Sequence, residues 1–272
     1  MPNKIPENSN EESKDNFETS GDFLKTLARG LMVIKSFQNS PSLTISEAAV
    51  RSGLARPVTR RVLLTLEHLG YATSKDGRFS LTTKILSLGY SYLSSHNIWE
   101  IAQPYLKKLS NQIDESSSLS ILDHTDVVYV ARVSVNKIMK SSLEVGSRLP
   151  AHTTSPGRLL LAYLPEHKLD DYFEQAELKA FTKKTNTSEA HIREELKIIR
   201  ENGWALCQDQ LELGLISVAA PVRDIRGEIV AAVNCPTHAG RVDMNKVINE
   251  YLPLVLETAE KISSNIEFEI VQ

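Results

Sequence analysis

Cysteine is almost missing from this chain: Cys207 and Cys235 are the only two. That excludes a disulfide scaffold and fits a reducing compartment, while leaving open whether the two pair with each other. No Cys-x-x-Cys occurs, and no two of the seven histidines sit at the spacing of ligands on one helical face, so no metal centre is expected. A phosphate-binding glycine loop is absent too, which leaves no signal for a nucleotide or any other cofactor. No apolar run approaches the roughly 20 residues that span a bilayer, and the N-terminus lacks the apolar core of a signal peptide. The expectation is a cytoplasmic protein with no membrane partner and no cofactor.

What is present suffices for two domains, since 272 residues let each bury its own core. Residues 1–22 stand apart. They are rich in Asn, Ser, Glu and Pro, nearly lack large apolar side chains, and read as a disordered, solubilising tail. From Leu24 the pattern turns helical: Leu24, Leu27, Ala28, Leu31 and Ile34 form a stripe that ends before Asn39-Ser40-Pro41 and is expected to pack behind the next segment.

That segment, Thr44 to Thr82, reads as a short helix, a turn at Ser52-Gly53, an arginine-rich second helix and a hairpin around Asp76-Gly77. Gly53 permits the turn, and Asp-Gly is a strong hairpin signal between Tyr71-Ala72-Thr73 and Arg78-Phe79-Ser80. In the second helix Val58, Val62, Leu63 and Leu66 recur at core spacing. Arg56, Pro57, Thr59 and Arg60 fall on the other side. This is the sequence form of a winged helix-turn-helix, a helix showing donors to a major groove with a hairpin wing beside it.

Charge agrees. From Phe23 to Thr83 nine Lys or Arg stand against three acids, about +6 in a chain of net charge -3, the footprint of polyanion binding. A solvated basic face on a protein-binding winged helix is the bland alternative. For double-stranded DNA the expected contacts are Thr44 and Ser46 at the first helix, Arg56, Pro57, Thr59 and Arg60 near base edges, and Arg61, Lys75 and Arg78 on phosphates.

Beyond the wing, residues 83–97 read as a linker helix with Ile85, Leu88, Tyr92 and Leu93 on one side. A helix from Ile98 to Ile113 follows, with Pro104 a point of kinking or restart. The period then becomes extended: Leu119–Leu122, Val127–Val133, Ile138–Val145, Ala205–Cys207, Ile216–Val222 and Ile229–Asn234 read as strands. Helices are expected at Leu159–Leu164, Glu189–Glu201 and Val242–Ile266. The fold class is α+β, residues 23–82 a winged helix-turn-helix and residues 98–272 a sensor-like domain of helices flanking a mainly antiparallel sheet.

The tracts LARGLMVIKSF, ARPVTRRVLLTLEHLGYAT, LSLGYSYLSS, VGSRLPAHTTSPGRLLLAYL, QDQLELGLISVAAPV and NCPTHAGRV, in that order, resemble the IclR family of bacterial transcriptional regulators. Within it they are similar to the subgroup governing the β-ketoadipate pathway of aromatic catabolism. The resemblance implies a homodimer, often a dimer of dimers, that binds promoter DNA, contacts RNA polymerase, and holds an organic-acid effector such as β-ketoadipate or protocatechuate in a GAF-like C-terminal domain. Other branches sense sugar acids or short keto acids.

The residues can be read for that role. Thr153, Thr154 and Ser155 open a helix capped by Thr or Ser with Pro156 in its first turn, a start whose N–H groups and dipole suit a carboxylate. Arg148 and His152 lie just upstream. Arg132, flanked by apolar residues on a strand, and Arg148 each admit two readings, a carboxylate clamp or a structural ion pair. Cys207, Asp209, Glu212, Ser217 and Asn234 sit on or beside strands that the family places around its effector. Relatives often carry a smaller hydroxyl residue at Asn234. Asp209 and Glu212 would accept from a ligand hydroxyl or hold Arg148 or Arg132, and Cys207 also reads as a plain buried residue. Cys207, His152 and Asp209 contain the ingredients of a nucleophile with its base, yet no nucleophile elbow surrounds them.

Overall fold

The computed structural model describes residues 20–88, 98–135 and 143–269, without the side chains of 267–269. The chain divides into two compact units, Met1–Ser95 and His96–Gln272.

In the first unit, helix α1 spans Lys25–Lys35 and strand β1 is Leu43–Thr44. Helix α2, Ile45–Ser52, begins with a capping box: the Thr44 N–H donates to Glu47 Oε2 at 2.7 Å and the Glu47 N–H to Thr44 Oγ1 at 3.2 Å. Gly53 ends it at φ +68°, a conformation natural to glycine. Helix α3 covers Arg56–His68 with Pro57 in its first turn. Strands β2, Ala72–Lys75, and β3, Arg78–Leu81, form the wing. They turn through Asp76 and Gly77, both at positive φ, as a two-residue hairpin of this hand requires.

Val33, Phe37, Leu43, Ala48, Leu63, Leu66, Ala72 and Phe79 make the core. The α1 stripe behaves differently from expectation. Leu24, Leu27 and Leu31 are exposed within this unit, because the face that meets the core is the one carrying Val33 and, a turn further on, Phe37. β1 was too short to register as a strand in the sequence, yet it pairs antiparallel with β3 through Leu43↔Phe79. Of the expected linker helix, Thr83–Ile85 forms a single tight turn, and residues 89–97 lie outside the described residues.

The second unit is built on a six-stranded antiparallel sheet. Its strands are β4 (Ser117–Asp123), β5 (Asp126–Val133), β6 (Arg148–Pro150), β7 (Ala205–Gln208), β8 (Leu215–Arg223) and β9 (Ile229–His238), in the order β6-β5-β4-β9-β8-β7. Alternation divides the inward residues between two cores. On one face Leu119, Val218, Ala220 and Val233 pack against helix α4 (Ile98–Ile113) and the closing helix Leu252–Glu269. On the other, Val127, Tyr129, Ala219 and Ala232 meet α5 (Ser155–Ala162) and α7 (Glu189–Asn202). Gly157 lets the Ala151–Thr153 turn lie directly on α5, since a Cβ there would sit 2.2 Å from the Ala151 carbonyl oxygen.

Several expectations change. Pro104 stands inside an unbroken α4. The strand expected at Ile138–Val145 falls mostly on residues 136–142, outside the described ones, and Leu143–Val145 are not extended partners of any strand. Among the described residues the edge next to β5 is formed by β6. Helix α6, Glu166–Gln175, had no counterpart in the sequence reading. The last helix is interrupted by a wide turn over Val247–Tyr251, in which the Leu252 N–H reaches back to Val247 O. Pro253 has no N–H to continue the ordinary ladder, and the wider turn absorbs that loss.

Candidate functional sites: a basic helix face and a buried cavity

On the first unit, α3 packs Leu63 and Leu66 fully and Val62 partly into the core, holds Val58 half-buried, and leaves Arg56, Pro57, Arg60 and Arg61 exposed. Ser46 and Lys75 are exposed too. Thr59 is a correction. It is wholly buried, its hydroxyl within 3.3 Å of the Ala55 carbonyl, so it cannot approach a base edge; standing four residues before Leu63 and seven before Leu66, it shares their buried face. The Thr44 hydroxyl serves the helix cap. Arg78 binds Ser42 through Oγ at 3.0 Å and O at 3.1 Å and pairs with Glu47 at 3.1 Å. It fastens the wing to the start of α2 while staying about half exposed. The backbone N–H of Thr44 is the main reason the Glu47 carboxyl lies below its ordinary pKa.

On the second unit, the α5 face of the sheet carries two rows of side chains set by strand register. Arg132, Ser118, Asn234 and Ala219 face one another across β5, β4, β9 and β8; Pro236, Ser217 and Cys207 do so across β9, β8 and β7. Above them opens a cavity of about 430 Å³, within the usual range for a small-molecule site. Its floor includes Arg132, Cys207, Ser217, Asn234 and Pro236. Its walls are Thr153 to Pro156 at the start of α5, Tyr129 and Leu149, and the Gln210-Leu211-Glu212 loop.

The polar groups are ordered. Arg132 donates to Ser118 Oγ at 2.9 Å and to Ser134 Oγ at 3.2 Å, and its burial lowers the guanidinium pKa against the pull of Tyr129 and Glu144. Burial pushes the Tyr129 phenol up to about 12 and the Cys207 thiol up to about 11, so both stay protonated. Ser155 Oγ donates to Ser217 Oγ at 2.7 Å and Asn234 Nδ2 to the same oxygen at 3.3 Å. Asn234 Oδ1 is buried and has no hydrogen-bond partner among the described residues.

Comparison with known proteins decides what this architecture is. The model for the IclR helix-turn-helix domain matches residues 26–76, and that for the bacterial transcriptional regulator IclR C-terminal domain matches residues 90–264. The chain belongs to the IclR family of transcriptional regulators. It is 40% identical over 242 residues to the Pca regulon regulatory protein of Pseudomonas putida, covering 88% of this chain and 83% of that one. The crystal structure of regulator RHA06195 from Rhodococcus sp. RHA1 superposes with a TM-score of 0.82 at 42% identity, over 92% of this chain and all of that one. The inducer-binding domain of a PobR double mutant from Acinetobacter, solved with 3-hydroxybenzoic acid, gives a TM-score of 0.57 at 34% identity, covering 61% of this chain and 97% of that one.

As an IclR regulator the chain is not an enzyme, and two of the three ingredients of the catalytic alternative are occupied elsewhere. Cys207 is a neutral thiol on the cavity floor. His152 Nε2 lies 3.1 Å from Lys179 O. Asp209 receives Lys184 Nζ at 2.6 Å and the Gly214 N–H at 2.6 Å, with Lys184 the chief reason its pKa is depressed. Among the described residues no group of acids, histidines or cysteines could hold a metal, and no helix is long and apolar enough to cross a membrane.

Eight of the residues expected at the effector line the cavity: Arg132, Thr153, Thr154, Ser155, Cys207, Glu212, Ser217 and Asn234. Three do not, and each is a correction. Arg148, at the start of β6, turns instead to the β4–β5 hairpin, held by Asp123 at 2.5 Å and Asp126 at 3.1 Å, the ion-pair reading of the two it admitted. His152 is buried behind the turn that precedes α5. Asp209, at φ +59°, closes the loop that carries Gln210 to Glu212.

Sequence reasoning missed Tyr129 and Gln210 on the walls, and Arg158 beneath them. Arg158 is 4% exposed and donates to His152 O at 2.7 Å and Gln210 Oε1 at 2.7 Å, and pairs with Glu195. An arginine directly before the apolar run Leu159–Ala162 of α5 was the available signal, since a buried charge requires partners.

Proposed function

We propose that this regulator controls genes of aromatic-acid catabolism in the β-ketoadipate pathway, with protocatechuate or β-ketoadipate as the effector in the cavity. The observation that carries the reading is a half-buried guanidinium, Arg132, on a cavity whose other side is the Thr153–Ser155 start of a helix. Both features favour a carboxylate. The relatives support the pathway: one is named for the Pca regulon, and another holds a hydroxybenzoic acid. A sensor of another organic or sugar acid is the alternative.

The DNA side uses Arg56 and Arg60 at base edges and Arg61, Lys75 and Arg78 at phosphates, on two half-sites read by a homodimer or dimer of dimers. Effector binding shifts the dimer's DNA-bound state or its contact with RNA polymerase by favouring one of two conformations. Isothermal titration with protocatechuate and β-ketoadipate, at one salt concentration and with glyoxylate as a control, tests this. Binding of either pathway acid supports it. Binding of glyoxylate alone moves the regulator to another branch.

A further inference from the structure

The far end of α3 is closed by residues that come from beyond the wing. Gly70, at φ +80°, turns the chain out of the helix. Its N–H donates to the Glu67 carbonyl at 2.9 Å and the Tyr71 N–H to the Leu66 carbonyl at 2.8 Å, the two bonds that close a helix at glycine. The next carbonyls are taken up by the chain leaving β3: Thr82 Oγ1 donates to Gly70 O at 2.6 Å, and Lys84 Nζ to Leu69 O at 2.8 Å. The Thr82 N–H donates to Tyr71 O at 2.9 Å, and the Lys84 ammonium stands 4.9 Å from the centre of the Tyr71 ring. A cation here meets the negative pole of α3. Leu69 lies roughly 14 Å of helix rise beyond Arg60, so Lys84 holds the helix at the end away from the arginines that read bases.

We propose that Lys84 is a positioning residue for DNA recognition: it spends its charge on the end of α3 and not on a phosphate, and fixes that helix against the wing so that Arg56 and Arg60 meet the bases in register. The proposal rests on the exposed face of α3 being the DNA surface. It sets Lys84 apart from Lys75 of the wing, which the same reading puts on a phosphate. The two roles differ in what they contribute. A phosphate contact adds affinity for any sequence and steepens the salt dependence. A clasp between helix and wing adds discrimination between sequences and leaves the salt dependence alone, because it releases no counterion from the duplex.

Anisotropy titrations of the full-length protein separate these roles, with the duplex that the wild type enriches from a random library and a scrambled duplex, from about 50 to about 200 mM salt. Lys84→Met keeps most of the aliphatic chain and loses the ammonium. It is expected to lower affinity for the selected duplex roughly three- to tenfold and for the scrambled one by less than about twofold, at unchanged salt slope. Lys75→Met is expected to weaken both duplexes alike and to flatten the slope by about 0.9. Lys84→Arg is expected to restore the discrimination, since a guanidinium also donates to a carbonyl and stacks on tyrosine. Thr82→Val opens the neighbouring clasp without changing charge and is expected to lower discrimination at unchanged slope. Equal weakening of both duplexes by Lys84→Met, with a slope flatter by about 0.9, makes Lys84 a phosphate contact and overturns the proposal. An unchanged ratio of the two affinities in folded Lys84→Met also overturns it and leaves Lys84 a helix cap alone. A wild type that enriches no duplex overturns the DNA reading and the proposal with it.

Discussion

Arg158 Nη2 donates to Gln210 Oε1 at 2.7 Å, joining a buried guanidinium on α5 to a side chain on the cavity wall. The same guanidinium holds the His152 carbonyl and Glu195, and Glu195 Oε1 accepts from Asn186 at 3.2 Å. One residue thus ties the turn before α5, helix α7 and the loop over the cavity. Arg158→Met keeps much of the volume but strips the donors. Glu195 remains 41% exposed, so solvent softens its loss, and we expect a fall in stability of about 2–3 kcal/mol. Arg158→Lys is expected to rescue little, because an ammonium cannot hold the planar fork. Urea unfolding followed by tryptophan fluorescence measures this cleanly, as Trp99 and Trp204 both lie in the second unit.

His152 adds a pH dependence. It is 1% exposed, and burial lowers its pKa from the ordinary 6.5. Above that value both folded and unfolded chains carry it neutral and it costs nothing. As pH falls below 6.5 the unfolded chain takes up a proton that the folded one resists, so stability is lost progressively toward the depressed folded value. The slope is at most about 1.4 kcal/mol per pH unit. Unfolding curves at about pH 7.5 and about pH 5.5 should therefore separate more in the wild type than in His152→Gln. Equal separation would remove His152 from the acid response.

On the DNA side, the buried and exposed faces of α3 give opposite expectations for adjacent residues. Arg60→Ala is expected to abolish specific binding, since a base contact is worth about 1–3 kcal/mol beyond the loss of one cation, while effector affinity stays as it was. Thr59→Val keeps the branched shape and loses only a hydroxyl turned to the Ala55 carbonyl. It should leave DNA affinity within about twofold, at a stability cost of about 1 kcal/mol. Anisotropy titrations of operator and scrambled duplex at one salt concentration check both. Loss of effector binding in a folded Arg60→Ala protein would break this division of labour.

The local parts of this architecture were legible because they rest on short-range signals. Gly53, Asp76-Gly77 and the Thr154-to-Pro156 helix start each declare their geometry within four residues, and the structure keeps all of them. The cavity floor was legible in composition but not in arrangement. Ser217 and Asn234 were singled out, yet that they meet follows from a register between β8 and β9. Arg148 and Thr59 were misplaced for the same reason: a residue's type says what it can bind, and only the pairing of distant strands or the rotation of a helix says whether it faces a ligand. Tyr129 escaped because an aromatic in an apolar strand looks like core, which in part it is.

The two arginines first put forward as clamps now part company. Arg148 spends its donors on Asp123 and Asp126, about 43% exposed, and those carboxylates are the main reason its own pKa is raised. An ion pair so exposed is worth about 0–1 kcal/mol, so Arg148→Ala should cost little stability and leave acid affinity unchanged. Arg132 lines the cavity, half buried beside Tyr129, where a charge-assisted bond to a carboxylate is stronger than in water. Arg132→Ala is therefore expected to weaken the acid effector by roughly tenfold or more, about 1.4 kcal/mol, without altering DNA affinity in the effector's absence. Calorimetry on the two variants side by side settles which guanidinium holds the acid. Weakening by Arg148→Ala alone would mean that the effector sits outside this cavity.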